Sequence, residues 1–294
     1  MGSVPVYLVL LLAATAALAQ RQDPNLAHPH EVLTVKRDGY SIAGLVGYSA
    51  GKGALTRGVA LFPGHPGIIK LRQEDGALKF EMRGNFLLRS RRHWLDDETL
   101  VMVVDAPSDQ WASFYQEFRA GPRYGADVGA LVAEASRKYG VKDWTFVGTS
   151  EGSVSALHAA RMNPELANRV ILTASVFVAG KNGPGLSRTD YSALKSDLLF
   201  VHHVDDPCQF TPYREAQAAA QRSGKPLVSV RGGGGWKGGL CEAFTAHGFV
   251  GAELAAVREW RSTATGLHPQ SAAAQTSWRR WERTFSSEEL RLPR

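Results

Sequence analysis

The sequence predicts an α/β domain, with a mostly parallel central sheet and helices on both of its faces. Short apolar, β-branched runs alternate with helix-period segments from residue 58 onward, the pattern of strand–crossover–strand units. Those runs are apolar at successive positions rather than at every second one, as in strands covered from both sides. The chain has 294 residues, 44% of them hydrophobic and 21% charged, with no internal repeat and no linker between two cores. One large core follows, and a disordered, collagen-like or coiled-coil chain is excluded.

Taken in order, 31–37 and 40–48 read as a hairpin that extends the sheet at one edge. Residues 58–62, 100–105, 144–148, 170–174, 198–204 and 226–230 are the buried strands. Helices are expected at 124–139, 151–162 and 212–223, with a last one at 248–261 after the final strand. The domain is placed at 20–265. Residues 266–294 lose the period, and Trp278, Trp281 and Phe285 suggest a tail that packs on the domain or trails it.

At the N-terminus, residues 4–19 carry no charge and end in Ala17-Leu18-Ala19 before Gln20. An apolar stretch closing on a small-x-small site reads as a secretory signal peptide over 1–19. The stretch falls short of the roughly 20 residues that span a bilayer, so no membrane span is expected in the mature chain. A secreted or periplasmic protein follows, and its two cysteines, Cys208 and Cys241, then form one disulfide. Basic residues number 34 against 28 acidic, a net charge of +6. The excess is spread along the chain with no basic block or interleaved aromatics, so nucleic acid is not an expected partner.

Gly148-Thr149-Ser150-Glu151-Gly152 carries the most information. Gly-x-Ser-x-Gly is weak alone, but here it follows an apolar strand and opens a helix. A strand-to-helix turn that sharp strains the serine and lifts its hydroxyl above the sheet. Both flanking positions must be small, and the helix N-terminus favours negative charge there. A hydroxyl is a poor nucleophile without a base and an acid that orients the base. Asp205-Asp206-Pro207 follows the strand at 198–204, and His247 precedes the last helix. Asp206 is preferred as the acid because the residue before proline is held extended, with Asp205 the lesser choice. Ser150, His247 and Asp206 are thus the candidate catalytic residues.

An oxyanion needs main-chain donors: Glu151 N–H, next to the nucleophile, and one from the turn Phe62-Pro63-Gly64-His65-Pro66-Gly67. Proline has no N–H, which leaves Gly64, His65 or Gly67; His65 is the choice. His202 and His203 sit on a strand and point to opposite faces, so with Asp205, Asp206 and Cys208 they give no recognised metal spacing. His158 and His268 read as structural or solvated. The run 232–238 contains G-x-G-x-x-G without a following βαβ unit, so no dinucleotide site is expected. It reads as a loop leading to Cys241, and a Cys208–Cys241 bridge ties the acid loop to the base loop.

These residues resemble the α/β-hydrolase superfamily over about 58–261. The resemblance rests on the elbow Gly148–Gly152, the Pro-Gly-His-Pro-Gly turn, Asp206 after the penultimate strand and His247 before the last helix. Among its members the chain is most similar to exported bacterial serine hydrolases carrying Val-Asp-Ala-Pro-Ser-Asp (104–109), His-His-Val-Asp-Asp-Pro-Cys (202–208) and His-Gly-Phe (247–249). The resemblance implies an α/β-hydrolase fold, a Ser–His–Asp triad and acyl transfer without a cofactor. The short stretch between 174 and 198 argues against a large cap. Arg83, Arg89, Arg91, Arg92, His93 and Trp94 fall in the irregular excursion 65–99, either as a pocket wall favouring an anionic group or as solvated basic surface. The expected activity is hydrolysis of a small carboxylic ester or related acyl substrate. The rivals are an amidase, peptidase or thioesterase using the same triad, and a non-catalytic binding protein of this fold.

Overall fold

The structure, a computed structural model, describes residues 24–51, 53–74 and 77–264, the side chains of 259–264 excepted. The leader at 1–19 and the tail at 266–294 lie outside the described residues. The strands are β1 (His30–Lys36), β2 (Ser41–Gly47), β3 (Arg57–Phe62), β4 (Arg72–Glu74), β5 (Ala77–Lys79), β6 (Thr99–Val104), β7 (Asp143–Thr149), β8 (Ala167–Thr173), β9 (Asp197–His203) and β10 (Leu227–Val230). The α-helices are α1 (Phe86–Arg89), α2 (Gln116–Ala120), α3 (Pro122–Tyr139), α4 (Gly152–Met162), α5 (Tyr213–Ser223) and α6 (Glu253–Ala264).

Eight strands form one sheet in the order β1-β2-β6-β3-β7-β8-β9-β10, and β4 and β5 make a separate hairpin. The β1–β2 and β2–β6 pairs are antiparallel. From β6 to β10 all pairs are parallel. The edge hairpin and every buried strand read from the sequence are present. Side chains alternate along the central strands between two cores. Leu100, Met102 and Val104 of β6 pack with Val128, Leu131 and Val132 of α3 and with Leu157 of α4. Val101 and Val103 face the other way, toward Leu87 of α1 and Val257 of α6. That double coverage is why the strands read as unbroken apolar runs.

The helix ends follow local chemistry. Pro122 opens α3 at a position where the missing N–H costs nothing, and Gly140 closes it at φ 78°. The last helix differs from the sequence reading. It begins at Glu253 rather than at 248, because Phe249 (φ 58°) and Gly251 (φ 76°) take left-handed conformations that break the helical path. Residues 246–248 form a short 3₁₀ turn instead, capped by Thr245 Oγ1, which accepts from His247 N.

The sheet order fixes where a site can form. From β3 the chain passes to β6 on one side, then crosses to β7 on the other. The C-terminal ends of β3 and β7 therefore diverge into a crevice at a topological switch point. Residues 174–196, between β8 and β9, hold no helix, and the described residues put no large cap over that crevice. No helix among the described residues is long and apolar enough to cross a membrane.

Candidate active site

Ser150 lies between β7 and α4 with φ at 52°, a left-handed conformation that strains a residue with a Cβ. Its N–H is held by Thr173 O and Ala174 O, both at 3.1 Å. The flanking glycines are steric requirements. A Cβ on Gly148 would stand 2.2 Å from Gly152 O, and one on Gly152 would stand 2.0 Å from Phe62 O. The turn after β3 passes directly over the serine: a Cβ on Gly64 would come within 2.9 Å of Ser150 Cβ.

The candidate base and acid, His247 and Asp206, come from two loops joined by a bond. His247 Nδ1 is 3.1 Å from Asp206 Oδ2, and the Asp206 side chain is fully buried. Cys208 N donates to Asp206 Oδ1 at 2.9 Å and Thr211 Oγ1 donates to Oδ2 at 2.8 Å. Thr211 Oγ1 also stands 3.0 Å from His247 Nδ1. Burial alone raises the Asp206 pKa, but the His202 N–H, 3.3 Å from Oδ2, and the bond from His247 outweigh it and hold the carboxyl well below its usual range. With Asp206 ionised, the threonine proton goes to the carboxylate and His247 carries its proton on Nδ1. That tautomer leaves Nε2 with a lone pair. The alternative acid, Asp205, is exposed, and its N–H donates to His203 Nδ1. The Cys208–Cys241 disulfide is present, with Cα atoms 4.5 Å apart, and it links the two loops.

Ser150 and His247 line the same cavity, of about 610 Å³. This lies within the range typical of small-molecule sites. Among the described residues, neither Ser150 Oγ nor His247 Nε2 has a hydrogen-bond partner, and no bond within 3.5 Å joins them. The main-chain N–H groups of His65 and Glu151, also at the cavity wall, likewise donate to no acceptor among the described residues.

Beneath this wall lies a polar network that no local sequence pattern indicates. Asn182 Nδ2 donates to Glu151 Oε1 at 2.7 Å and meets His65 Nδ1 at 3.2 Å. Arg119, buried at 1% exposure, donates to Pro66 O at 2.7 Å and to Ser155 Oγ at 3.0 Å. Its Nε stands 3.9 Å from Glu151 Oε2. One buried guanidinium thus braces both the β3 turn and the first turn of α4. Burial pushes its pKa down to about 10, so it remains charged at neutral pH. Glu151 is lowered: burial raises it, but His65, Arg119 and Asn182 prevail. Asp105, at the end of β6, accepts from Ile69 N and Leu71 N at 2.8 Å and fixes the chain that continues from the β3 turn. Gln116 Oε1 accepts from Gly185 N at 2.9 Å and steadies the loop that carries Asn182.

The excursion at 65–99 supplies His65, Asn85 and Phe86 to the cavity wall, but none of Arg83, Arg89, Arg91, Arg92, His93 and Trp94 lines the cavity. Arg89 is spent on structure instead. Its guanidinium donates to Gly84 O at 2.7 Å, Ala243 O at 3.1 Å and Gly248 O, and pairs with Glu253 at 3.0 Å. The carbonyls of 243 and 248 bracket His247. The paired histidines do point apart: His202 Nε2 meets Thr211 O at 2.7 Å, and His203 Nε2 meets Gly232 O at 2.9 Å.

Known structures share this architecture. Est1E from Butyrivibrio proteoclasticus aligns at 12% identity and a TM-score of 0.55, over 80% of this chain and 99% of its own. An α/β serine hydrolase without lid from Xanthomonas campestris aligns at 14% identity and a TM-score of 0.50, over 79% and 94%. No protein-family model matches the sequence. No curated protein matches it either. The chain therefore has the α/β-hydrolase fold, with its elbow serine in the crevice of the sheet.

Proposed function

We propose that this chain is an exported serine hydrolase that cleaves small carboxylic esters through an acyl-enzyme. The observation that carries the reading is His247 bonded through Nδ1 to a buried, ionised Asp206, in the same cavity as a strained serine at a strand–helix turn. The serine-hydrolase likeness of the fold and the disulfide fit this reading.

Ser150 Oγ attacks the ester carbonyl as His247 Nε2 takes its proton, and Asp206 stabilises the imidazolium that forms. The negative charge that develops on the carbonyl oxygen is met by the N–H groups of Glu151 and His65, aided by the N-terminus of α4. His247 then gives its proton to the leaving alkoxide, and an alcohol departs. Water attacks the acyl-enzyme, losing its proton to His247. That proton returns to Ser150 Oγ as the acid is released.

The test is a panel of short activated esters, thioesters and amides, run on the mature protein beside Ser150→Ala. Ester turnover that vanishes in the folded variant, together with labelling of the wild type alone by a fluorophosphonate, supports the mechanism. Equal turnover in the variant eliminates it. A wild type that neither turns over nor labels is a binding protein of this fold, and preference for the amides makes it an amidase.

A further inference from the structure

His202 is buried at 1% exposure and takes no part in the steps above. It is the last-but-one residue of β9, on the face that carries Leu198 and Phe200, under α5, between the rings of Phe177 and Tyr213 at centroid distances of 6.1 and 6.2 Å. Its Nε2 is 2.7 Å from Thr211 O and 3.3 Å from Asp206 Oδ2. A carbonyl only accepts, so Nε2 carries the proton, and that N–H lies between a carbonyl and a carboxylate. The carboxylate oxygen is the one that meets His247 Nδ1, and Thr211 places its own hydroxyl against both.

We propose that His202 is a positioning residue that acts on His247 through Thr211 and Asp206. It anchors the threonine whose hydroxyl orients the pair. Its N–H dipole also draws on the shared Oδ2, leaving less of the carboxylate charge to stabilise a His247 imidazolium. His202 thereby sets the pH at which His247 becomes a working base. The inference rests on the triad reading above.

Other titratable groups stand around this pair, His65, Glu151 and Lys181 on the cavity wall among them, and all remain in the variants below. Tyr213 stands on α5, and Arg89 of α1 bonds Gly248 O. Glu242 lines the cavity next to Cys241, and Asp205 is exposed beside Asp206.

His202→Phe keeps an aromatic ring between Phe177 and Tyr213 but has no donor; His202→Gln keeps an N–H near the Nε2 position. Two readouts are compared across these proteins: kcat/KM against pH on an activated ester, and the titration of the His247 imidazole by nitrogen-15 NMR, which needs no turnover. In His202→Phe both the acidic limb and the titration move up by about half to one pH unit. Plateau kcat falls roughly tenfold as Asp206 and Thr211 lose a fixed partner. His202→Gln restores most of both. An unmoved limb and titration in folded His202→Phe overturns the proposal, as does an equal displacement in His202→Gln. In the wild type at pH 8 the His202 proton is expected on Nε2, and finding it on Nδ1 also overturns the proposal whether or not the Phe variant folds. A wild type without esterase activity whose titration still moves in the Phe variant sinks the functional reading and leaves this brace standing. An active wild type with an unmoved titration does the reverse.

Discussion

His65 and Glu151 meet through their side chains, Nδ1 to Oε2 at 3.5 Å, while their main-chain N–H groups border the cavity that holds Ser150. The turn after β3 and the start of α4 are thereby tied together by the two residues we assign as oxyanion donors. Glu151 Oε2 accepts no hydrogen bond among the described residues, and the His65 ring at 3.5 Å and the buried Arg119 guanidinium at 3.9 Å flank this carboxylate charge. A donor pair can act on developing charge only if its spacing is set beforehand.

Glu151→Gln removes that charge and leaves its volume. Arg119 then sits buried without a counter-charge, and stability in urea is expected to fall by about 1–3 kcal/mol. Ester turnover should fall roughly tenfold in kcat with KM little changed, because the donors act on the transition state. A variant with wild-type kcat would show that the side-chain pair does not set the donors.

Asp206 gives stability a definite pH dependence. Its folded pKa lies below the unfolded value of about 4, so the fold favours the ionised form. The native state binds fewer protons in that window, and stability rises with pH across it. The contribution, on the order of 2 kcal/mol, is complete above about pH 4 and is lost as pH falls through the folded pKa. Glu151, also lowered, acts in the same direction. Urea midpoints at pH 3 and pH 7 should differ more in the wild type than in Asp206→Asn. Equal differences would remove Asp206 as their source.

Arg89→Met tests the bracket around His247. The carbonyls of Ala243 and Gly248 lose a charged donor, and Glu253 loses its partner. We expect a stability loss of about 2 kcal/mol. A drop in kcat larger than any rise in KM is also expected, since His247 shifts while the cavity walls stay. Unchanged kinetics in a destabilised variant would confine Arg89 to folding.

The disulfide closes a loop spanning 33 positions, and a loop of that length stabilises by about 3–4 kcal/mol in the chain-entropy account. Replacing both Cys208 and Cys241 by serine should lower the thermal midpoint. It should also reduce kcat below that of an equally destabilised variant elsewhere, because the bridge joins the loops of Asp206 and His247. Equal activity at matched stability would leave the bridge a purely structural role.

The sheet and the elbow were legible because their signals are local. A strand buried on both faces must be apolar throughout, and a strained turn must have glycine at 148 and 152 whatever surrounds it. Ser150, Asp206 and His247 could be named as candidates from their places after β7, after β9 and before the last helix. The start of that helix was misplaced because the left-handed turn at Phe249 leaves no mark on the apolar period. The tertiary structure alone decided that Arg119 lies beneath the β3 turn, that Arg89 holds the His247 loop and that His202 and Thr211 share Asp206. The Arg119 and Arg89 contacts join segments far apart in the chain, and His202, Asp206 and Thr211 meet only because the chain after β9 folds back on itself. Burying a charge or an imidazole is tolerable only where partners converge in space, and linear spacing does not record that convergence.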